Sequence, residues 1–403
     1  MRTDPDRLSF EIVARDGDAR AGVLTTPHGT VETPCFVPLA TRGSVKGLLP
    51  NEVEDAGYEM VLGNTYHLML APGGERIADL GGLHMFMGWD GAIITDSGGF
   101  QVFSLAFGSV ADEVKGRRGR PPLEGGVLGI GEDGVRFRSY IDGSEHFLSP
   151  ERSMEVQAQL GSDIALVFDE CTPFRADYDY TARSTERTDR WLQRCLDWHG
   201  ANGPVGQAVF GIVQGGTHED LRRQSAGSVA AAGVDGIAIG GTLGKDKEQM
   251  LEVVGMTVGM LPADPARHLL GIGEPDDLVN GIAAGIDSFD CAVPTRLGRH
   301  GMALAPLPER RFRYDVRKRR NAEESGPLVP GCPCPACTRF SRAYVHYLSK
   351  AEELTGVRLL TLHNLVYSRE LVAGARAAIV AGRYGNYRDA VMAGAAPWEA
   401  ASA

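Results

Sequence analysis

The chain has no long apolar run, and its cysteines do not form the even set of a disulfide framework. No stretch of about 18 consecutive apolar residues occurs in the 403 residues, so no membrane-spanning helix is indicated. The opening residues Met1–Pro5 are polar and lack the apolar core of a secretion signal. The seven cysteines are an odd number, and three of them cluster. These features favour a reducing cytoplasm and a metal site.

Positive charge is also in deficit. The chain carries 41 Lys and Arg against 52 Asp and Glu, a formal net charge of −11, which argues against a general nucleic-acid binder. The cations are unevenly distributed, however, because seven of them lie within Glu309–Arg320. Two aromatic residues and the cysteine cluster adjoin this segment, so we favour phosphate contact for it. A smaller basic group, Arg117–Arg120, is compatible either with phosphate contact or with a solvated loop.

Eight short apolar runs, rich in β-branched residues, recur along the chain, and each ends in glycine or a polar residue. They are 35–39, 60–62, 92–94, 164–168, 209–213, 236–239, 268–271 and 286–289. Such runs suit strands that are buried on both faces of a parallel sheet, and helical patterns separate several of them. Eight strands alternating with helices predict an α/β fold of the (β/α)8 TIM barrel class, with a doubly wound open sheet as the rival.

The remaining patterns predict helices and two additions to the barrel. The predicted helices include 153–160, 189–198, 220–232, 276–284, 340–354 and 365–381. A barrel needs about 250 residues, so some of the chain must lie outside it. We expect a catalytic barrel over residues 1–309 with a hairpin-bearing insertion at about 106–150. We expect residues 310–403 to form a zinc-binding subdomain with C-terminal helices packed on the barrel.

The three clustered cysteines, Cys332, Cys334 and Cys337, form a C-x-C-x2-C pattern with two prolines between them. Thiolates combined with an imidazole suit tetrahedral Zn²⁺. His363 or His346 can supply the fourth ligand, and composition does not choose between them. Four protein ligands leave no open position, so we predict a structural zinc and place the chemistry elsewhere.

Two aspartates, Asp96 and Asp290, stand at the ends of predicted strands, where barrel enzymes keep their active sites. One carboxylate can attack a carbon while the other moves a proton, as in retaining glycosyl transfer. The alternative is that each aspartate caps a loop or a helix. Three further residues, Asp169, Gln214 and Gly241, follow other strands and suit the recognition of a flat heterocycle, with glycine permitting close backbone approach.

Phe100 could stack on such a ring or belong to the core. Together these residues lie in motifs that resemble those of the tRNA-guanine transglycosylase family. The matching segments are Thr95–Val102, Phe168–Pro173, Gly211–Gly216, Phe289–Arg296, the cysteine cluster and His363–Asn364. The resemblance extends from about residue 10 to residue 385, with all motifs in order.

The resemblance implies a (β/α)8 barrel with one structural zinc per chain, acting as a homodimer in queuosine biosynthesis. The implied reaction exchanges guanine at the wobble position of certain tRNA anticodons for a 7-deazaguanine, most commonly preQ1. It implies that Asp290 attacks C1′ of the ribose and that Asp96 is the general acid and base. The other implied sites are Asn64, Ser97, Phe100, Asp169, Gln214, Gly241 and Leu270 for the base, Arg296 and Arg299 for the anticodon, and Cys332, Cys334, Cys337 and His363 for zinc.

The chain departs from the family pattern after Gly240–Gly241. The segment Thr242–Lys245 is one residue shorter than the family's, and it carries lysine where the family carries an acid. A cationic aminomethyl group about 4 Å from an ammonium costs roughly 4 kcal/mol at an effective dielectric constant near 20. We therefore expect either that Lys245 points away from the base or that the incoming base is preQ0 or queuine.

Two other functions stay open at this stage. One is a non-catalytic, zinc-dependent RNA-binding protein, and the other is a metal hydrolase. The sequence contains no G-x-x-x-x-G-K-[ST] loop, which fits an exchange reaction that needs no ATP.

Overall fold

The computed structural model describes residues 8–102, 126–172, 176–241 and 243–401. The strands, numbered in chain order, are β1 Ser9–Asp16, β2 Ala19–Thr26, β3 Gly29–Thr33, β4 Cys35–Ala40, β5 Met60–Gly63, β6 Ala92–Thr95, β7 Val127–Gly131, β8 Gly134–Arg138, β9 Glu145–Leu148, β10 Ile164–Leu166, β11 Ala208–Val213, β12 Gly236–Ile239, β13 Ala266–Leu269, β14 Ser288–Cys291, β15 Met302–Leu304 and β16 Arg313–Asp315. The α-helices are Pro50–Asp55, Thr65–Leu70, Gly74–Asp79, Gly82–Met87, Pro150–Leu160, Tyr178–Asn202, Glu219–Ala231, Lys247–Val258, Pro275–Ala283, Val293–Arg299, Pro335–Arg339, Arg342–Lys350, Leu354–Val380, Tyr384–Met392 and Pro397–Ala400. Two short 3-10 turns in the described part of the chain are Pro308–Arg310 and Arg319–Asn321.

Eight parallel strands close into a barrel in the order β4, β5, β6, β10, β11, β12, β13, β14. The last strand pairs with the first, with Ser288 opposite Cys35, so the predicted barrel is confirmed and the open sheet is excluded. All six residues of β11 and all four of β12 are buried. Helices cover the outer face of the strands and side chains fill the barrel interior, so both faces of the strands are buried. This burial explains why the strands appear in the sequence as unbroken apolar runs.

Three small antiparallel sheets accompany the barrel. The sheet β1–β2–β3 precedes it and has no counterpart in the sequence predictions, while β15–β16 follows it. The sheet β7–β8–β9 lies in the predicted insertion, where a hairpin was expected and a third strand joins it. The first part of that insertion, including Arg117–Arg120, lies outside the described residues.

The C-terminal helices differ from the predicted ones. The segment predicted as one helix over 340–354 is helical only over Arg342–Lys350, because the Ser341 side chain caps its start and Glu352 adopts a left-handed conformation after its end (φ 58°). The next helix begins at Leu354 and not at 365. A Cβ at Gly356 would lie 3.0 Å from the Leu348 side chain, so this glycine lets the two helices approach closely.

The long helix Leu354–Val380 packs against the helix Val293–Arg299 and against β4. Asn364 links them, because its amide donates to the carbonyl oxygens of Pro294 and Met302, each at 3.0 Å. The C-terminal region is thus joined to the segment that directly follows β14. None of the helices in the described ranges has both the length and the apolar character that crossing a bilayer requires.

Candidate functional site

Asp290 is the third residue of β14 and lies at the carboxyl end of the barrel. Its Oδ1 accepts a hydrogen bond from the backbone N–H of Gly271 at 3.0 Å and lies 3.1 Å from Nε2 of His268. Gly271 has φ of 73°, a left-handed conformation that glycine adopts readily, and this turn aims its N–H at the carboxylate. The loop after β13 therefore holds one oxygen of Asp290 in place.

Asp96 directly follows β6 and also lies at this end of the barrel. Its Oδ1 accepts from the backbone N–H of Thr65 at 2.9 Å and of Gly98 at 3.3 Å, and its Oδ2 accepts from the Asn64 amide. Burial raises the pKa of the Asp96 carboxyl group to about 7, and repulsion from Asp290 adds to the shift. The two predicted aspartates are thus brought together, and the raised pKa leaves Asp96 partly protonated near neutral pH.

The raised pKa of Asp96 makes stability depend on pH. An aspartate in the unfolded chain has a pKa near 3.9, so between about pH 4 and pH 7 the folded protein holds a proton that the unfolded chain has lost. The free energy of unfolding therefore falls as the pH rises through this window, by at most about 4 kcal/mol. We expect Asp96→Asn to gain stability relative to the wild type as the pH rises, because its amide does not ionise. Unfolding temperatures of both proteins at pH 5 and pH 8 test this, and parallel pH profiles would contradict it.

A buried polar floor lies beside the two aspartates. Asp169, which lies three residues after the end of β10, accepts from the hydroxyl of Ser97 at 3.1 Å and from the amide of Gln214. Burial raises the pKa of Asp169 to about 6. Among the described residues, no donor reaches the buried Oε1 of Gln214. A Cβ at Gly241 (φ 78°) would lie 2.2 Å from that oxygen, so only glycine leaves the space open.

Three further residues predicted to bind the base, Asn64, Phe100 and Leu270, differ in burial. Phe100 is 42% exposed, so its ring is available to a ligand and is not part of the core. Leu270 is half-buried beside Gly240. Asn64 is buried, and it both contacts Asp96 and accepts from the backbone N–H of His67 at 3.0 Å. Asn64 thus lies beside Asp96, and the contacts of all three residues with a base stay predictions.

Cations without carboxylate partners lie at the rim of the barrel. Arg296 and Arg299 belong to the helix that follows Asp290, and repulsion between them contributes to a lowered pKa of Arg299, after desolvation. Desolvation, followed by repulsion from Arg299 and Arg42, also lowers the pKa of Lys46. None of these four side chains forms an ion pair with a described residue. The sequence reading missed Arg42 and Lys46, because isolated cations in a loop carry no motif.

The basic segment Glu309–Arg320 is only partly available for phosphate contact. Arg311 and Arg313 pair with the buried Glu274, at 2.8 and 3.4 Å. Arg310 and Arg317 pair with the neighbouring acids Glu309 and Asp315. The exposed cations in this segment that make no ion pair with a described residue are Lys318, Arg319 and Arg320. Four of the seven cations in this segment therefore form ion pairs within the protein.

The cysteine cluster lies apart from these groups, in the C-terminal region. The Sγ atoms of Cys332, Cys334 and Cys337 lie 3.6, 3.4 and 3.4 Å from Nδ1 of His363. Nε2 of His363 lies 2.9 Å from the carbonyl oxygen of Leu304, which leaves Nδ1 unprotonated and facing the three thiols.

This cluster could hold a metal ion. A zinc ion about 2.3 Å from each sulfur and about 2.0 Å from the nitrogen, at tetrahedral angles, sets sulfur–nitrogen distances of about 3.5 Å. The observed distances fit that arrangement. His346, the alternative ligand, lies with its Nδ1 2.8 Å from the carbonyl oxygen of Val316. The fold thus brings His363, and not His346, to the thiols.

Comparison with known proteins identifies the family of the chain. The family model described as Queuine tRNA-ribosyltransferase matches residues 16–396. A Queuine tRNA-ribosyltransferase of Roseiflexus sp. is 52% identical over 94% of this chain and 98% of its own length. Those of Pelotomaculum thermopropionicum and Symbiobacterium thermophilum are 48% and 47% identical, over 95% and 96% of this chain and 97% and 91% of their own lengths. The chain therefore belongs to the queuine tRNA-ribosyltransferase family.

Proposed function

We propose that this protein exchanges guanine at the wobble position of tRNA anticodons for a 7-deazaguanine, through a covalent aspartyl-ribose intermediate. Family membership supports a tRNA-modifying glycosyltransferase of the queuosine pathway. The observation that carries the finer proposal is the pair Asp96 and Asp290, which share one end of the barrel in different environments. Two carboxylates in different environments can take the roles of acid and nucleophile.

In the first half of the reaction, an oxygen of Asp290 attacks C1′ of the ribose. The C1′–N9 bond breaks, guanine leaves with its electron pair, and Asp96 supplies the proton. Because burial raises the pKa of Asp96 to about 7, a substantial share of the molecules carries this proton at neutral pH. In the second half, Asp96 accepts a proton from the incoming base as that base displaces Asp290. The ester conserves the energy of the glycosidic bond, so ATP is not required.

The base is recognised by the polar floor of the pocket. Guanine must leave the anticodon loop to reach Asp290, and extrusion from a loop costs less than extrusion from a duplex. Guanine presents two donors on one edge, N1–H and the 2-amino group. In the polar floor, the Asp169 carboxylate and the Gln214 Oε1 are acceptors for these two donors. A 7-deazaguanine has the same edge, so one floor serves the outgoing and the incoming base.

The incoming base is preQ1 in this proposal. Lys245 is exposed, and its backbone N–H donates to the Gln249 side chain at 3.0 Å. A solvated ammonium repels a second cation about 4 Å away by only about 1 kcal/mol. Competition of preQ1, preQ0 and queuine for incorporation into tRNA identifies the base. If the wild type prefers preQ0 or queuine and Lys245→Glu prefers preQ1, then Lys245 excludes preQ1 and the incoming base is preQ0 or queuine.

Adduct trapping tests the proposed function against a non-catalytic RNA-binding protein. Enzyme mixed with tRNA and a 7-deazaguanine gives a protein–tRNA species that survives denaturation, and labelled guanine enters tRNA without ATP. An RNA-binding protein retains tRNA but gives neither result. A metal hydrolase predicts loss of chemistry on chelation while the fold persists.

The rim cations bind the anticodon loop in this proposal. We expect Arg296→Ala and Arg299→Ala each to weaken tRNA binding and to reduce the slope of log Kd against log salt by roughly 0.7 to 1, the amount for one lost phosphate contact. Turnover at saturating tRNA should change much less, because neither side chain touches the reacting atoms.

The matched control is Arg388→Ala. Arg388 carries the same charge on the C-terminal helix Tyr384–Met392 and pairs there with Asp389 at 3.0 Å. Its loss should leave the salt slope unchanged. Binding titrations at several salt concentrations distinguish the two results, and equal slopes for all three variants would refute the rim as the tRNA contact.

The metal in the cysteine cluster is zinc in this proposal, because three thiolates and one imidazole are a donor set that zinc prefers. Zinc there would hold the subdomain of residues 310–403 together and take no part in the reaction. The homodimer implied by the resemblance and the cytoplasmic location favoured by the cysteine pattern stay predictions.

A further inference from the structure

His268 is a buried histidine that touches the proposed nucleophile, and no sequence motif identified it. It belongs to β13, which pairs with β14 so that His268 lies opposite Ser288. Its Nδ1 lies 2.8 Å from the Ser288 hydroxyl, and its Nε2 lies 3.1 Å from Oδ1 of Asp290. Ser288 and Asp290 are two residues apart and therefore share one face of β14. The imidazole bridges them, with none of its side-chain surface exposed.

The hydrogen bonds of this group determine which nitrogen carries the proton. An ionised carboxylate only accepts, so Nε2 of His268 must carry the hydrogen that reaches Asp290. Nδ1 of a neutral imidazole is then an acceptor, and the Ser288 hydroxyl can donate to it. Both ring nitrogens are satisfied without adding a charge. A neutral donor leaves the negative charge on Asp290, where the attack on C1′ requires it.

The two oxygens of Asp290 are consequently different. Oδ1 faces two donors, Nε2 of His268 and the backbone N–H of Gly271, whereas no described residue donates to Oδ2. We infer that His268 is a positioning residue that holds Oδ1 and presents Oδ2 to the ribose. This inference rests on the proposed function, because it assumes that Asp290 is the nucleophile.

The inference assigns each atom a place in the reaction. The Oδ2–C1′ bond forms as the C1′–N9 bond breaks, and the electron pair of that bond leaves with guanine, which Asp96 protonates. Oδ1 becomes the carbonyl oxygen of the ester and keeps both donors. When the incoming base attacks, the Oδ2–C1′ electron pair returns to the carboxylate. His268 and Gly271 then stabilise the returning charge.

Two amide substitutions separate the contact with Asp290 from the contact with Ser288. The amide nitrogen of glutamine can occupy the place of Nε2, so His268→Gln retains a donor toward Asp290. The shorter asparagine reaches only the place of Nδ1, so His268→Asn retains the contact with Ser288 alone. We expect kcat of His268→Asn to fall roughly 10- to 100-fold, the effect of one hydrogen bond to a charged group. His268→Gln should recover most of that loss, and KM for tRNA and for the base should change little.

A third variant tests the tautomer. Ser288→Ala removes the hydroxyl that holds Nδ1 as an acceptor but leaves the imidazole beside Asp290. We expect a smaller fall in kcat than for His268→Asn. A Ser288→Ala variant more impaired than His268→Asn would contradict the assignment of the proton to Nε2.

The measurements are steady-state kcat and KM for guanine exchange, together with the rate of adduct formation on denaturing gels. Rescue of kcat by Gln but not by Asn, with equal KM and equal unfolding temperature in the two variants, supports the positioning role. A purely structural role would change the unfolding temperature or affect both variants alike. Equal kcat in wild type, His268→Gln and His268→Asn would overturn this inference alone. Absence of any adduct in the wild type would overturn the proposed function and, with it, this inference.

Discussion

We expect Asp290→Asn to abolish the covalent adduct and to lower base exchange by roughly 10⁴-fold or more, the scale observed when a covalent nucleophile is removed. The amide has almost the shape of the carboxylate but cannot form the ester with C1′. The side chain of Asp290 is only 10% exposed, and the cations proposed to hold tRNA lie elsewhere on the rim. Binding of tRNA should therefore stay within a few-fold of the wild type. Labelled-guanine exchange, denaturing gels and binding titrations measure the three quantities.

Asp290→Glu is the matched variant. It retains the negative charge but moves the carboxylate away from the donors of His268 and Gly271, and a displacement of about 1 Å can cost about 10²-fold in rate. We expect it to be severely impaired while still binding tRNA. An Asp290→Asn variant that still forms the adduct would show that another residue is the nucleophile, and the proposed mechanism would fail.

Loss of the metal is the second change with a large expected effect. Cys334 is 1% exposed, and its thiol lies 3.4 Å from Nδ1 of His363. Structural zinc sites have apparent binding free energies of about 10–16 kcal/mol, which contribute directly to folding. We expect Cys334→Ser, or treatment with a strong chelator, to remove the metal and to destabilise the region from about residue 310 onward. Metal analysis by mass spectrometry and hydrogen exchange of that region measure the effect.

The effect should reach tRNA binding through defined contacts. His363 belongs to the helix Leu354–Val380, and its neighbour Asn364 holds the carbonyl oxygen of Pro294 in the helix that carries Arg296 and Arg299. Weaker tRNA binding is therefore expected with the loss of metal.

The control is Cys35→Ala, since Cys35 lies in β4 and outside the cluster. It should retain the metal and tRNA binding. A metal-free protein with unchanged hydrogen exchange beyond residue 310 would contradict a structural role. Loss of chemistry alone, with the fold and tRNA binding intact, would favour the metal hydrolase.

The barrel was predictable because each of its strands is marked by residues that are neighbours in the sequence. Most strands are short apolar runs such as Ile164–Leu166, buried on both faces, and polar residues or glycine follow within a few positions. The thiols of the metal cluster were predictable for the same reason, because three cysteines within six positions are close together in any compact conformation. The sheet β1–β2–β3 was missed because β1 alternates between exposed and half-buried residues and lacks an apolar run.

Helix boundaries in the C-terminal region were wrong where a side chain or a tertiary contact decides them. The start of Arg342–Lys350 depends on the Ser341 side chain, and the start of the next helix on the close approach of Gly356 to Leu348. The sequence pattern marks neither point, and the predicted helices were therefore placed over 340–354 and 365–381.

The sequence by itself determined the eight strands, the thiol ligands and the two aspartates at strand ends, because each depends on residues that are neighbours in the chain. Composition left His363 and His346 open and the family resemblance implied His363, which the tertiary structure brings to the thiols. Only the tertiary structure decided that Asp169 meets Gln214 and that a histidine in an apolar run touches Asp290. These contacts join residues from 22 to 45 positions apart. Strand register and helix packing bring them within hydrogen-bonding distance, and no local pattern of residues encodes that register.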